Sequence, residues 1–278
     1  MKKYYIKDIQ GFKKESKPFA TITAYDYTSS SICSSLGFPL ILVGDSASMV
    51  VFGYENTTPI TMDEMMFVLR AVVRGNSCSL IVADMPFLSY QPSKRDAIKN
   101  AGRFIKAGAN AVKLEGGKEV LNKINALVDS GIPVVGHIGL QPQSINTMSG
   151  YKIQGKTKKS AQKLINEAIE IENAGAFSLV LEGIPSNLAK IISKKIKIPT
   201  IGIGSGPDCD GQIQVFHDVL GLFDNLSPKH AKKFLDGNKH LAKGLKKYKK
   251  SVEKKLFPSS KNYINLTSKI LEDISENI

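Results

Sequence analysis

Eight short, β-branched apolar runs recur along this chain, separated by longer stretches of helical periodicity. That alternation limits the fold more than any other feature. The runs fall at 19–25, 40–44, 80–83, 111–114, 134–138, 178–181, 200–203 and 213–216. Helical patterns occupy 27–36, 62–75, 93–107, 119–130, 158–174 and 186–195. Helix starts carry capping residues, as where Thr61 precedes Glu64 in capping-box spacing. Gly37, Gly75, Gly108, Gly131 and Gly175 stand at the helix ends, where glycine commonly closes the last turn. Strands alternating with helices build a parallel sheet. Eight such units close into an α/β barrel of the (β/α)8, or TIM, type, which takes roughly 250 residues. Residues 1–260 are read as one barrel domain and 261–278 as a C-terminal tail, helical or frayed. The weak joint is the link 204–212, too short for a crossover helix, so an open doubly wound sheet is the structural alternative.

Composition narrows the setting. Of 278 residues 42% are hydrophobic and only 8% aromatic, which suits a core of Val, Ile, Leu and Ala. No apolar run approaches the roughly 20 residues that span a bilayer. The opening MKKYYIKDIQGFKKES lacks the apolar region of a secretory signal. Cys33, Cys78 and Cys209 form no CxxC pair, as expected of reduced thiols in a cytoplasmic protein. The net charge of +13 is concentrated in a lysine-rich stretch, 229–255, opposed only by Asp236 and Glu253. A nucleic-acid partner fits such a run. Its lack of arginine and of interleaved stacking aromatics favours a solvated helix face instead, with attraction of an anionic substrate as a third reading.

Chemistry in such barrels sits at the carboxyl ends of the strands, so the polar residues following each run are the candidates. They are Asp26, then Asp45 and Ser46, then Asp84, then Glu115, with His137 inside the fifth run and Glu182 after the sixth. A carboxylate at the end of a buried strand is partly desolvated, which is costly unless it is paired or metal-bound. Asp26 alone reads as a helix cap. Asp45, Asp84 and Glu115 together read as a site for one shared cation. All-oxygen ligands favour Mg2+ or Mn2+, with Asp45 and Asp84 binding directly and Glu115 through a water. Lys113 lies two residues before Glu115, on the same strand face. It is a clamp for a substrate anion or a structural ion pair; a Schiff-base role is redundant beside a metal. His137 is a metal ligand, a proton carrier or a satisfied interior histidine. Glu182 is the candidate general base, with a further metal ligand or a Lys113 partner as its alternatives. The late GIGSG segment is a weak phosphate-loop signal and not a dinucleotide fingerprint.

The segments TAYDYTSS, LVGDSASMVVFGYENTTPIT, VADMPFLSYQ, AGANAVKLEGG, GIPVVGHIGLQPQSINTMSGYKIQGK, GAFSLVLEGIP and IPTIGIGSGPDCDGQIQVFHDVLGL follow one another in register. In them the chain closely resembles the ketopantoate (3-methyl-2-oxobutanoate) hydroxymethyltransferases. The resemblance implies a barrel of the phosphoenolpyruvate/pyruvate type, a bound Mg2+ and a step of pantothenate biosynthesis. By position it gives Asp45, Asp84 and Glu115 the metal-site roles. Asp45, Ser46, Asp84 and Lys113 take the ketoacid contacts, joined by His137, and Glu182 takes the proton. The expected reaction passes through a Mg-chelated enolate of 3-methyl-2-oxobutanoate, which attacks the one-carbon unit of 5,10-methylenetetrahydrofolate to give 2-dehydropantoate. The resemblance also implies a homo-oligomer, usually a decamer. Two departures lie beside the site: Ala47 and Ser48 where the family commonly has Leu-Gly, and Gly183 where it commonly has Cys or a similar small residue. The rivals are a related metal-dependent lyase of the methylisocitrate type and a basic nucleic-acid-binding protein on a degenerate barrel. The lyases carry a Lys-Lys-Cys-Gly-His loop that is missing here.

Overall fold

The computed structural model describes residues 2–148, 150, 152–223 and 231–275. Eight parallel strands follow one another around a closed barrel: β1 Phe19–Thr23, β2 Leu40–Val43, β3 Leu80–Asp84, β4 Ala111–Glu115, β5 Val134–Gly139, β6 Ser178–Glu182, β7 Thr200–Ile203 and β8 Gly211–Gln214. Closure is made by β8 against β1, where Phe19 to Ile22 pair with Gly211 to Gln214. The open-sheet alternative is thereby excluded. Helices Tyr27–Ser35, Met62–Gly75, Lys94–Lys106, Leu121–Asp129, Lys158–Asn173 and Ser186–Lys195 cover the outside. Thr61 and Glu64 form the expected capping box, and Asp26 caps its helix by accepting from Ser29 N at 2.7 Å.

The sequence reading of β8 is two residues late, because the link from β7 is shorter than expected and contains no helix. It works because the returning segment lies directly on the outer face of β7. A Cβ at Gly202 would sit 2.9 Å from Cys209 Sγ, so only glycine leaves room. At the bottom of β7 the Asp210 carboxylate accepts from Thr200 N (2.7 Å) and Thr200 Oγ1 (2.9 Å) and pairs with Lys13 at 2.9 Å. These bonds pin the start of β8. Gly75 also differs from expectation. It ends its helix without a left-handed turn, and a Cβ there would lie 2.3 Å from Tyr27 O, so its role is close helix packing.

Two apolar layers result. One fills the space between sheet and helices, with Ile41, Val43, Leu69, Val72, Phe104 and Leu127 among its members. The other lies inside the barrel and uses alternate strand residues, among them Leu40, Leu42, Leu80, Val82, Ala111, Val135, Val180, Ile201 and Ile213. An N-terminal helix, Ile6–Lys14, that the apolar pattern did not single out closes the lower end. Its Ile9 is fully buried, and Phe12 stacks on Phe19 with ring centroids 4.9 Å apart.

Most of the lysine-rich stretch forms the helix Gly237–Glu253, and a further helix covers Ser268–Ser275. Lys229 and residues 276–278 lie outside the described residues. Leu241, Leu245, Tyr248 and Val252 are exposed along Gly237–Glu253 at spacings of four, three and four, which places them on one face. Among the described residues no helix is long and apolar enough to cross a membrane. Cys33, Cys78 and Cys209 are all buried free thiols.

Candidate active site

Followed upward, the inward positions of β3 to β6 change from apolar to ionisable. On β3 the inward series is Leu80, Val82, Asp84; on β4 it is Ala111, Lys113, Glu115; on β5 it is Val135, His137; on β6 it is Val180, Glu182. The strand register carries these side chains to one level. Asp84 pairs with Lys113, and Glu115 with His137. Asp45, just past β2, joins them: its backbone N donates to Asp84 Oδ2 at 3.1 Å. All of these except Glu182 are nearly inaccessible to solvent, and Glu182 keeps 13% of its side chain exposed.

Lys113 stands at the centre. Its Nζ lies 3.2 Å from Asp84 Oδ1, 3.7 Å from Glu115 Oε1 and 3.1 Å from His137 Nδ1. His137 bridges to the open side, with Nε2 3.2 Å from Glu182 Oε2 but off the line of a hydrogen bond. Nδ1 also lies 3.5 Å from Glu115 Oε1, and a neutral ring facing the ammonium through Nδ1 would carry its proton on Nε2, toward Glu182. Ser46 hydrogen-bonds Tyr25 Oη at 2.7 Å, beneath the loop that follows β1. Asp26 is exposed and capped away from the cluster, so it takes no part.

The charges do not balance. Burial first, and then the carboxylates of Asp84 and Glu115, push the Asp45 carboxyl well above the ordinary range. Burial also raises Asp84, though Lys113 opposes it. Glu115 is different: burial is outweighed by His137 and Lys113, and its carboxyl falls below the usual value. Burial disfavours the Lys113 ammonium, but Asp84, Glu115 and Asp45 outweigh it and hold the proton on. The His137 imidazole, opposed by burial and by Lys113, is pushed up to about 9 by Glu115 and Glu182.

Of the residues expected to share a cation, Asp45 and Asp84 are joined through the Asp45 backbone N, which donates to the Asp84 carboxylate. Glu115 is turned toward Lys113 and His137. Asp84 Oδ1 is paired with the Lys113 ammonium at 3.2 Å, off the line of a hydrogen bond, whereas among the described residues no cation touches Asp45, so the Asp45 side of the site has an unmet demand for positive charge. Among the described residues no three acidic, histidine or cysteine side chains converge as ligands on one point. A hard ion held by one or two carboxylates and completed by water or substrate suits this set; a closed protein cage does not. The two departures beside the site have local explanations. Ser48 is buried and donates to Asn56 O at 2.6 Å, and Ala47 is packed in the core. Gly183 has φ +56°, a left-handed backbone that suits glycine.

Sequence reasoning missed two residues that hold the cluster, Tyr90 and Gln143. Tyr90 Oη donates to Glu115 O at 2.8 Å and accepts from Glu115 N at 3.1 Å. Gln143, in the turn after β5, donates from Nε2 to Asp45 Oδ2 at 2.9 Å. Neither lies at a strand end, and nothing in its neighbours separates Gln143 from Gln141 or Gln154.

A closed parallel barrel with buried ionisable groups gathered at its carboxyl mouth defines a barrel enzyme whose chemistry is done at strand ends. The chain belongs to the ketopantoate hydroxymethyltransferase family, whose model matches residues 3–260. It is 50% identical over 273 residues to the 3-methyl-2-oxobutanoate hydroxymethyltransferase of Nitrosopumilus maritimus (strain SCM1), covering 98% of each chain. It is 48% identical over 275 residues to the protein of that name from Carboxydothermus hydrogenoformans, covering 99% of this chain and 100% of that one. The chain is thus an enzyme, a hydroxymethyltransferase, and not a degenerate barrel. Similar solved folds include a phosphonopyruvate hydrolase in complex with oxalate and Mg++ (TM-score 0.62, 12% identity, 100% of this chain and 96% of that one). Another is a phosphoenolpyruvate phosphomutase from Streptomyces platensis subsp. rosaceus (TM-score 0.61, 12% identity, 99% and 98%).

Proposed function

We propose that this enzyme transfers the one-carbon unit of 5,10-methylenetetrahydrofolate to C3 of 3-methyl-2-oxobutanoate. With water consumed, the products are 2-dehydropantoate and tetrahydrofolate. The observation that carries this reading is the row Lys113–His137–Glu182, a fixed cation joined through an imidazole to the one partly exposed acid of the cluster. Ketoacid chemistry at C3 needs an anion clamp and a base, and this row offers both.

In this reading Lys113 binds the ketoacid carboxylate and fixes its orientation, and Ser46 adds a hydrogen bond from the opposite wall. Glu182 takes the C3 proton, with His137 Nε2 beside it to stabilise the carboxylate before transfer and relay the proton afterwards. Asp45 and Asp84 would hold Mg2+ directly, with Glu115 acting through a water. The ion supplies Lewis-acid withdrawal of electrons from the bound ketoacid, worth several kcal/mol. Asp45, which no cation touches among the described residues, supports that placement. A cytoplasmic biosynthetic enzyme is the matching setting. The exposed stripe on Gly237–Glu253 supports assembly with further copies, in keeping with the homo-oligomer that family membership suggests.

The test is deuterium exchange at C3 of the ketoacid, followed by NMR with Mg2+ and without folate. Glu182→Gln is expected to slow exchange by about 10²–10⁴-fold. Undiminished exchange removes Glu182 as the base, and full activity in EDTA removes the metal.

A further inference from the structure

Gln143 touches two acids of the cluster, Asp45 and Glu115, as many as Lys113 does, yet it carries no charge. Its side chain is almost wholly buried. Nε2 spends both hydrogens on fixed acceptors, Asp45 Oδ2 at 2.9 Å and Met85 O at 2.9 Å. Oε1 accepts from Gln91 Nε2 at 3.2 Å and, at 2.9 Å, shares the single Tyr90 Oη hydrogen with Glu115 O. Its backbone N donates to Glu115 Oε2 at 3.1 Å. The amide can face only this way, because the flipped form would set Oε1 against a carboxylate and a carbonyl.

Two of the three central carboxylates, those of Asp84 and Glu115, lie against the Lys113 ammonium, whereas among the described residues Asp45 receives only the neutral amide of Gln143. A neutral donor fixes a carboxylate's rotamer without cancelling its charge. It also ties down one oxygen, Oδ2, and leaves Oδ1 outside that bond. We infer that Gln143 is a positioning residue that orients Asp45, and through its backbone Glu115, so that the uncancelled Asp45 charge is presented to the divalent cation. The inference rests on the metal reading proposed above and adds to it the residue that sets metal affinity.

Partners that orient a metal ligand typically change affinity by about 10–100-fold when removed. The experiment titrates Mn2+ into wild type and Gln143→Met, reading free Mn2+ by electron paramagnetic resonance, and measures kcat and ketoacid KM across Mg2+ concentrations. The variant is expected to bind Mn2+ about 10–100-fold more weakly. Its kcat is expected to return to within about threefold of wild type once Mg2+ saturates. A kcat deficit that no Mg2+ concentration repairs, with Mn2+ affinity unchanged, marks a merely structural role and overturns the inference. If Gln143→Met does not fold, Tyr90→Phe carries the test. Deleting that hydroxyl leaves Oε1 held by Gln91 alone and should weaken Mn2+ severalfold, and unchanged affinity overturns the inference. Absence of Mn2+ binding by wild type removes the metal reading itself, whereas wild-type binding matched by Gln143→Met removes only the assignment to Gln143.

Discussion

The two ends of one barrel are built from the same eight strands and treat charge in opposite ways. At the lower end the inward residues are apolar and an added helix seals them, with Ile9 buried and Phe12 stacked on Phe19. The ion pair there, Lys13 with Asp210, is one-to-one, and Thr200 supplies two further hydrogen bonds to the carboxylate. At the upper end Asp45, Asp84, Glu115 and Glu182 face one lysine and one histidine. The lower end gains stability from burial. The upper end gives some up, because crowded buried carboxylates oppose folding unless something positive joins them. One end holds the fold; the other is poised for a ligand.

Removing Lys113, the one lysine in contact with the upper-end acids among the described residues, should have the largest effect. Lys113→Met leaves Asp84 and Glu115 without their ammonium, and truncating one member of a buried charged set costs about 3–5 kcal/mol. Chemical denaturation of the metal-free protein should report that loss together with loss of ketoacid turnover. A variant as stable as wild type would mean that the acids are already neutral in the folded state. Next comes a lower-end change, Ile9→Ala, which opens a cavity under the barrel at a cost of about 2–4 kcal/mol. Its kcat/KM should stay within about threefold of wild type, and a large kinetic defect would show that the two ends are coupled.

The smallest expected effect is a gain. The proton affinity of Asp45 is raised in the folded state, by burial and then by Asp84 and Glu115. The folded form therefore holds a proton that the unfolded chain releases above its own carboxyl pKa of about 3.9. Stability of the metal-free protein should fall as pH rises through that window and on to the raised folded value. Asp45→Asn keeps an acceptor for Gln143 and removes the ionisation, so it should flatten this slope and stabilise the neutral-pH protein by about 1 kcal/mol. Thermal unfolding across pH, with and without Mg2+, tests it: Mg2+ should rescue wild type and leave the variant unmoved.

Much of the upper end was legible because strand periodicity is strict. Once the apolar runs were placed, Asp84, Glu115 and Glu182 had to emerge at one rim, and Lys113 had to share a face with Glu115. The capping role of Asp26 followed from local chemistry. The lower end was less legible, since nothing in the amphipathic pattern of residues 6–14 says which surface the helix will cover. The β7–β8 return was misplaced for a related reason. Its path depends on space left by a missing side chain at Gly202, and a sequence records the glycine but not what approaches it.

The sequence by itself determined the order of strands and helices, their parallel alternation and the identity of the acids at the rim, because each follows from periodicity and the geometry of neighbouring residues, while closure waited on the pairing of β8 with β1. Only the tertiary structure decided how those acids are shared out. Lys113 lies against Asp84 and Glu115, His137 lies between Lys113 and Glu182, and Asp45 is left to the neutral Gln143. The reason is distance: Gln143 and Asp45 are 98 positions apart in sequence and 2.9 Å apart in space, and no local preference of either residue encodes that meeting.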